Sequence, residues 1–283
     1  MKVRKAVYSG NWYPATAREC EKEIKAFLKE TKVPCETDLR KVSGIVPHAG
    51  WYFSGKIACN VIRCLAADSM PDAIVVFGMH LHPDSANYIM KEGAWQTPFG
   101  ELEIQHEISG ELVKEFKFKI ETPDDFTPDN TIELQLPFIK YFFEGAKLVP
   151  IGVPPSERSL RIGQSVVEIA RRLGLTLKVL GSTDLTHYGY NYGFTPKGTG
   201  PEAVDWVKNQ NDRRVIEALL AMDPERVIRE AMANQNACCA GAAATAVAAG
   251  KALGATCGKI MAYATSYDKS PGDSFVGYVG IVF

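Results

Sequence analysis

The 283-residue sequence lacks an apolar run long enough to cross a membrane, because no stretch approaches the roughly 20 apolar residues of a spanning helix. Residues 1–5 are basic, but no apolar core of a signal peptide follows them. An excess of one charge is also missing, since 32 Lys and Arg residues stand against 33 Asp and Glu residues. Nucleic-acid binding requires a clustered basic excess, so this composition argues against it. We expect a cytoplasmic protein that binds neither membranes nor nucleic acid.

The sequence has no Cys-x-x-Cys pair, and its seven cysteines are an odd number. A chain of this length can bury a stable core without disulfides, so we expect mostly buried thiols in a reducing compartment. Cys238 and Cys239 are adjacent and stand at the start of a predicted helix. Small buried side chains are common there, but a helix N-terminus also lowers the pKa of a thiol, which makes a thiolate ligand chemically reasonable.

Strand and helix patterns alternate along the chain. An apolar strand ending at His48, a helix from about Ser54 and a strand at 73–78 predict a parallel βαβ unit. Strand, helix and strand patterns follow again between 147 and 181. No linker or repeat interrupts the sequence, so we predict a single α/β domain over 1–283. Its central sheet should be mixed but largely parallel, and flanked by helices.

Four of the five histidines directly follow apolar strand patterns, at three different strand ends: His48, His80 and His82 together, and His187. Open α/β sheets bind their ligands at the carboxyl ends of strands, so these side chains are predicted to share one site. Neutral imidazole is the commonest metal ligand in proteins, and converging imidazoles need a cation to avoid repulsion on protonation. The pattern therefore predicts a metal site.

Asp184 and His187 stand three positions apart, a spacing that places both side chains on one side of a helical turn. In that arrangement Asp184 would orient the imidazole of His187 or stabilise its charge. Ser182, Thr183 and Asp184 are also typical capping residues, and a helix cap is compatible with the functional interpretation.

A second helix start is predicted at residues 130–133. Asn130 is expected to be its N-cap, with Glu133 three positions later. On spacing alone, Glu133 fits a capping residue better than a catalytic acid.

Taken together, several segments resemble the MEMO family, whose prokaryotic members are called AmmeMemoRadiSam system protein B. The resemblance covers nearly the whole chain and rests on the order and spacing of residues 10–14, 47–50, 131–138, 182–189 and 272–278. The family is similar in fold to class III extradiol dioxygenases, which hold non-haem iron in a pocket at strand ends. The resemblance therefore implies a dioxygenase-like metal site.

The resemblance implies that His48 is the first metal ligand. The second family ligand closes a Gly-Pro-Asn/Ser-His turn, where this chain has Gly-Met-His-Leu-His at 78–82. A one-residue deletion makes this ligand His80, whereas a gapless match places Leu81 there with His82 adjacent; we favour His80 and keep His82 as the alternative. The third ligand is a cysteine, matched by Cys238, although the usual Cys-Gly-x-Gly-Pro context is altered.

The resemblance also assigns roles around the metal. Asp184 and His187 match the family's supporting acid and the base of the dioxygenases. Trp12, Glu133 and Tyr188 belong to the shared motifs and are expected near the pocket.

These features predict a metal-binding protein with a dioxygenase-like pocket. Two imidazoles and a thiolate suit Fe(II), which we favour, or copper or zinc. The protein would then be a non-haem iron oxidoreductase acting on a small aromatic or other small molecule. One alternative is a zinc-dependent hydrolase with His187 as base. Another is a non-catalytic module that binds a peptide, a phosphopeptide or a metal. The sequence leaves the substrate, the oligomeric state and catalysis itself open.

Overall fold

The computed structural model describes residues 1–30, 35, 40–67 and 69–283. Within these residues the strands are β1 (Val3–Arg4), β2 (Ser43–Val46), β3 (Ala73–Gly78), β4 (Asn87–Met90), β5 (Ala94–Thr97), β6 (Gly100–Glu103), β7 (Phe118–Glu121), β8 (Lys147–Gly152), β9 (Leu177–Ser182), β10 (His187–Tyr188), β11 (Lys259–Thr265) and β12 (Phe275–Val282). The α-helices are α1 (Ala17–Lys29), α2 (Lys56–Ala66), α3 (His106–Glu115), α4 (Asn130–Glu133), α5 (Leu136–Phe142), α6 (Glu157–Leu173), α7 (Pro201–Trp206), α8 (Asp212–Leu220), α9 (Pro224–Asn234) and α10 (Ala240–Ala252).

The larger sheet has the strand order β10-β12-β2-β9-β3-β8-β4-β7, and β11 also pairs with β12. Its centre is parallel, since β9 pairs in parallel with both β2 and β3, and β3 pairs in parallel with β8. On the two sides of this centre, β12 runs antiparallel to β2 and β4 runs antiparallel to β8. A smaller sheet contains β1, β5 and β6. The predicted α/β class with a mixed, largely parallel central sheet is confirmed.

The central strands are covered by helices on both faces. Every residue of β2, β3 and β9 is buried, as expected for parallel strands between two helical layers. Alternate residues of β3 divide between the two cores: Val75 and Phe77 belong to the core that contains α6 and α10, and Ile74 and Val76 to the core that contains α2. The small side chains of α10 let that helix lie close to the sheet.

Two helix starts differ from the sequence prediction. The helix predicted from about Ser54 begins at Lys56, after a wider π-helical turn at Trp51–Gly55. The N-cap of α4 is Asp129 and not Asn130, because the carboxylate of Asp129 accepts a hydrogen bond from the backbone N–H of Thr131. Both residue types are good caps, so the sequence alone could not separate them. Among the described residues, no helix combines the length and apolar character that a membrane crossing requires.

Candidate metal centre

His48 follows β2 and is almost completely buried. Its backbone N–H donates to Oδ1 of Asp184 at 2.7 Å, which holds the chain at the strand end. Its ring atom Nδ1 lies 3.1 Å from Oγ of Ser182. The hydroxyl of Ser182 donates to the carbonyl oxygen of Thr131 at 2.7 Å, so it accepts from Nδ1 of His48. A proton therefore sits on Nδ1, and Nε2 is the ring nitrogen that faces Cys238.

His80 is aimed by a sharp turn after β3. Met79 adopts a left-handed conformation with φ of 72°, and its N–H donates to Oγ1 of Thr131 at 2.7 Å. Gly78 leaves room for this contact, because a Cβ at that position would lie 2.4 Å from the same oxygen. Both the backbone N–H of His80 and its Nδ1 then donate to Oδ2 of Asp129, at 3.2 and 3.1 Å. Nε2 of His80 is consequently free to bind a metal.

The thiol of Cys238 meets the two imidazoles. The rings of His48 and His80 are nearly perpendicular, with centroids 5.0 Å apart. Sγ of Cys238 lies 3.3 Å from Nε2 of His48 and also accepts the backbone N–H of Asp184 at 3.3 Å. One ligand atom from each of His48, His80, Cys238 and Cys239 lies within 4.8 Å of the others. These atoms could hold one metal ion, and imidazole and thiolate donors fit Fe(II), copper or zinc.

The charges around these donors favour a cation. Burial raises the pKa of Cys238, but hydrogen bonding by the Cys239 thiol and contact with His48 outweigh it, so the pKa lies well below its ordinary value. Burial lowers the pKa of His80, but its hydrogen bonds with Asp129 and Cys238 outweigh this effect and raise it to about 10. The site thus stabilises a thiolate and positive charge beside it. A divalent cation supplies that charge, so the residues fit a metal ion.

A cavity of about 560 Å³ opens beside this centre. Its lining includes His48, His80, Asp184 and His187. His187 begins β10 and is half-buried, with its ring centroid 4.9 Å from that of Tyr192. The cavity therefore places a further imidazole beside the candidate metal ligands, where it could exchange a proton with a bound molecule.

The prediction that a helical turn pairs Asp184 with His187 is wrong. Residues 183–186 are irregular, because their backbone groups bond to other elements: Leu185 N–H donates to the carbonyl of Gly277 and Gly277 N–H donates to the carbonyl of Thr186. The hydrogen bond of the Asp184 carboxylate goes instead to the backbone of His48. Burial raises the pKa of Asp184, while the nearby imidazole of His48 opposes that increase.

Comparisons with known proteins show the family of this chain. The sequence model described as Memo-like protein matches residues 4–282. The chain belongs to the MEMO family. A MEMO1 family protein of Pyrococcus furiosus is 31% identical over 292 residues, covering 99% of this chain and 98% of the relative. A MEMO1 family protein of Methanopyrus kandleri is 32% identical over 295 residues, with coverage of 99% and 98%.

A solved structure is similar to this MEMO family chain in fold. It is an uncharacterized protein from Escherichia coli K12, with a TM-score of 0.53 and 10% sequence identity. The match covers 84% of this chain and 98% of the Escherichia coli chain. At this identity the similarity concerns the fold alone.

The other residues predicted for the MEMO family site occupy different places. Trp12 lines the cavity and is 37% exposed. Glu133 is buried away from the cavity lining, where its carboxylate accepts from the N–H groups of Val7 and Tyr8 and from the hydroxyl of Tyr13. Glu133 therefore anchors the N-terminal turn.

Tyr188 and His82 also lie outside the cavity lining. Tyr188 is fully buried, and its hydroxyl donates to the carbonyl of Gly198. Its ring stacks on Phe275 at 5.2 Å between centroids, so the side chain supports the 188–200 loop from within. His82 is exposed, with Nδ1 3.6 Å from Oδ2 of Asp84, and does not belong to the His–Cys group.

Sequence reasoning missed the supporting role of two residues that shape this MEMO family site: Ser182 and Asp129. Ser182 and Asp129 fix which nitrogen of each imidazole is free. Asp129 offered a signal, because it is a capping residue immediately before a predicted helix start. Cys239 was visible as half of the adjacent pair, but sequence cannot show that both thiols turn toward one point.

Proposed function

We propose that His48, His80 and Cys238 bind a divalent metal ion and that the protein acts on a small molecule in the adjoining cavity. One observation carries this proposal: both imidazoles present Nε2 to the same thiol beside the cavity, because Ser182 and Asp129 occupy both Nδ1 atoms. Hydrogen bonds of this kind orient metal-bound histidines, fix their tautomer and raise their basicity as ligands.

Fe(II) and an oxygen-dependent oxidation of a small aromatic molecule are the proposed chemistry. The ion would supply Lewis acidity and redox capacity next to the cavity. His187 would accept a proton at its ring nitrogen from a substrate hydroxyl group, since it lines the same cavity as the two histidine ligands. Asp184 would hold the His48 backbone in place through its 2.7 Å hydrogen bond. The aromatic rings of Trp12, Phe53 and Tyr192 in the lining would pack against a planar substrate.

Anaerobic reconstitution followed by oxygen-electrode assays tests this function. Wild-type protein loaded with Fe(II) should bind about one equivalent, as one set of ligands implies. It should then consume oxygen with members of a panel of phenols and catechols, and His48→Ala should lose both properties. Equal iron content in wild type and His48→Ala, with both folded by circular dichroism, would contradict the metal assignment. Stoichiometric iron without oxygen uptake for any substrate would contradict the oxidation.

Zinc-dependent hydrolysis is the second candidate. Two histidines and one cysteine with a fourth position for water are a known catalytic zinc set, and the cavity beside His80 offers such a position. His187 would again serve as base. Zinc-loaded protein that cleaves an activated ester, without oxygen consumption by the iron-loaded form, would favour this candidate over the first.

A further inference from the structure

The cysteine after the assigned thiol ligand also faces the centre. Cys239 is 3% exposed and precedes α10, and its N–H donates to Oγ1 of Thr183 at 3.1 Å. Its Sγ lies 3.8 Å from Sγ of Cys238. Both thiols are free, and this separation is far longer than the about 2.05 Å of a disulfide bond. The second sulfur is therefore close enough to share a partner with the first.

Two of the separations between donor atoms match those around a single four-coordinate ion. Two thiolates bound about 2.3 Å from one tetrahedral zinc ion lie about 3.8 Å apart, and a thiolate and an imidazole nitrogen about 3.5 Å apart. The observed separations are 3.8 Å between the two sulfurs and 3.3 Å between Sγ of Cys238 and Nε2 of His48. Donor atoms of His80 and Cys239 complete a group in which no pair exceeds 4.8 Å.

Within the part of the chain that the structure describes, the sulfur of Cys239 has no hydrogen-bond partner other than Cys238. The backbone fixes the residue, because its N–H is held by Thr183 while the N–H of Cys238 donates to the carbonyl of Asp184 at 3.2 Å. The loop after β9 thus holds both adjacent cysteines, and the turn into α10 directs both sulfurs toward the imidazoles.

We infer that Cys239 is a fourth protein ligand, which makes the centre a two-imidazole, two-thiolate site. This inference rests on the proposed metal centre and adds one donor to it. Two thiolates favour the thiophilic cations zinc and Cu(I) over magnesium, calcium or manganese. With zinc the four donors complete the tetrahedron and leave no position for water. The inference therefore weighs against zinc hydrolysis at this site.

X-ray absorption spectroscopy on the zinc-loaded full-length protein tests the donor count. Wild type should show two sulfur neighbours at about 2.3 Å and two nitrogen neighbours at about 2.0–2.1 Å. Cys239→Ala and Cys239→Ser should each show one sulfur neighbour. In chelator competition they should lose more zinc affinity than the 10–100-fold typical of residues that only support a ligand. Cys257→Ala, which removes an exposed thiol elsewhere, should match wild type.

The possible outcomes distinguish a failure of the role inferred for Cys239 from a failure of the proposed metal centre. One sulfur neighbour in wild type, or unchanged zinc affinity in folded Cys239→Ser, would overturn the role of Cys239 and leave the three-ligand centre standing. No bound zinc in wild type would contradict the metal centre. If both variants misfold, the sulfur count of the wild type decides alone.

Discussion

Ser182 Oγ lies 3.1 Å from Nδ1 of His48, and this contact determines which nitrogen of the imidazole faces the cysteines. The hydroxyl is committed as a donor to Thr131, so only the Nδ1–H form of His48 satisfies both groups. Ser182 thus pre-orients a strand-end histidine that is a candidate metal ligand.

Ser182→Ala should weaken metal binding without abolishing it. The variant removes the acceptor of the Nδ1 proton, and groups that support a metal-bound histidine in this way typically contribute 10–100-fold to affinity. Competitive zinc titration would measure the loss. Ser43→Ala is the matched control, because this buried hydroxyl of the neighbouring β2 bonds to the carbonyl of Ala246 and not to the site. Equal losses in both variants would indicate general destabilisation.

His80→Ala should remove most of the bound metal, and His82→Ala should leave the metal content near that of wild type. Only His80 has its Nδ1 held by a largely buried carboxylate and its ring beside His48. The side chain of His80 is 44% exposed, against 75% for that of His82. Metal content after anaerobic reconstitution and desalting gives the comparison. Loss of metal in His82→Ala but not in His80→Ala would mean that His82 is the ligand, as the gapless match to the family motif suggests.

His187→Ala should retain metal and lose turnover. Removing a group that only transfers a proton typically lowers kcat by 10²–10⁴-fold. The assay is oxygen uptake with the best substrate of the phenol and catechol panel, accompanied by metal analysis. His106→Ala, which removes an exposed histidine of α3, should behave like wild type. A large loss of metal affinity in His187→Ala would show that His187 binds the metal, which would contradict its proposed role as a base.

Asp212→Asn should change how stability depends on pH. Burial raises the pKa of Asp212 to about 6, despite hydrogen bonds from Thr186 and Tyr263. The native state then holds the proton more tightly than the unfolded chain. This contribution is complete below about pH 4 and is lost as pH rises to about 6, a change of about 3 kcal/mol.

The free energy of unfolding of wild type relative to Asp212→Asn should therefore fall by about 2 kcal/mol between pH 4 and pH 6.5, which is most of the full change. Asparagine keeps the shape and can still bond to both neighbours, so the comparison isolates the titration. Urea unfolding at several pH values measures it. Asp205→Asn, at an exposed carboxylate, should give a flat difference. A flat difference for Asp212→Asn as well would mean that its native pKa is ordinary.

Sequence predicted the strand ends well because the apolar runs before His48 and His80 form parallel strands that are buried on both faces. Such strands fix where the next residues emerge from the sheet. The sequence wrongly predicted a helical turn at 184–187. Leu185 and Thr186 instead exchange backbone hydrogen bonds with Gly277, a partner about 90 residues away along the chain. Local spacing favours a helical turn there, and tertiary pairing overrides it.

The partners that orient the imidazoles depend on the same kind of long-range contact. Ser182 lies 134 positions from His48 in the sequence, and Asp129 lies 49 positions from His80. Serine and aspartate are common capping residues, so a capping signal such as that of Asp129 does not show that the side chain also orients an imidazole. The direction of the Cys239 sulfur likewise depends on how the loop after β9 holds the adjacent residues.

The central claim is that one metal ion binds at Nε2 of His48, Nε2 of His80 and Sγ of Cys238. A crystal structure of the metal-loaded protein, with anomalous data on both sides of the metal absorption edge, tests it most directly. We predict a single strong anomalous peak about 2.0–2.1 Å from each Nε2 and about 2.3 Å from Sγ of Cys238. A peak bound through either Nδ1, a peak at another site, or no peak in protein that carries stoichiometric metal would contradict the account.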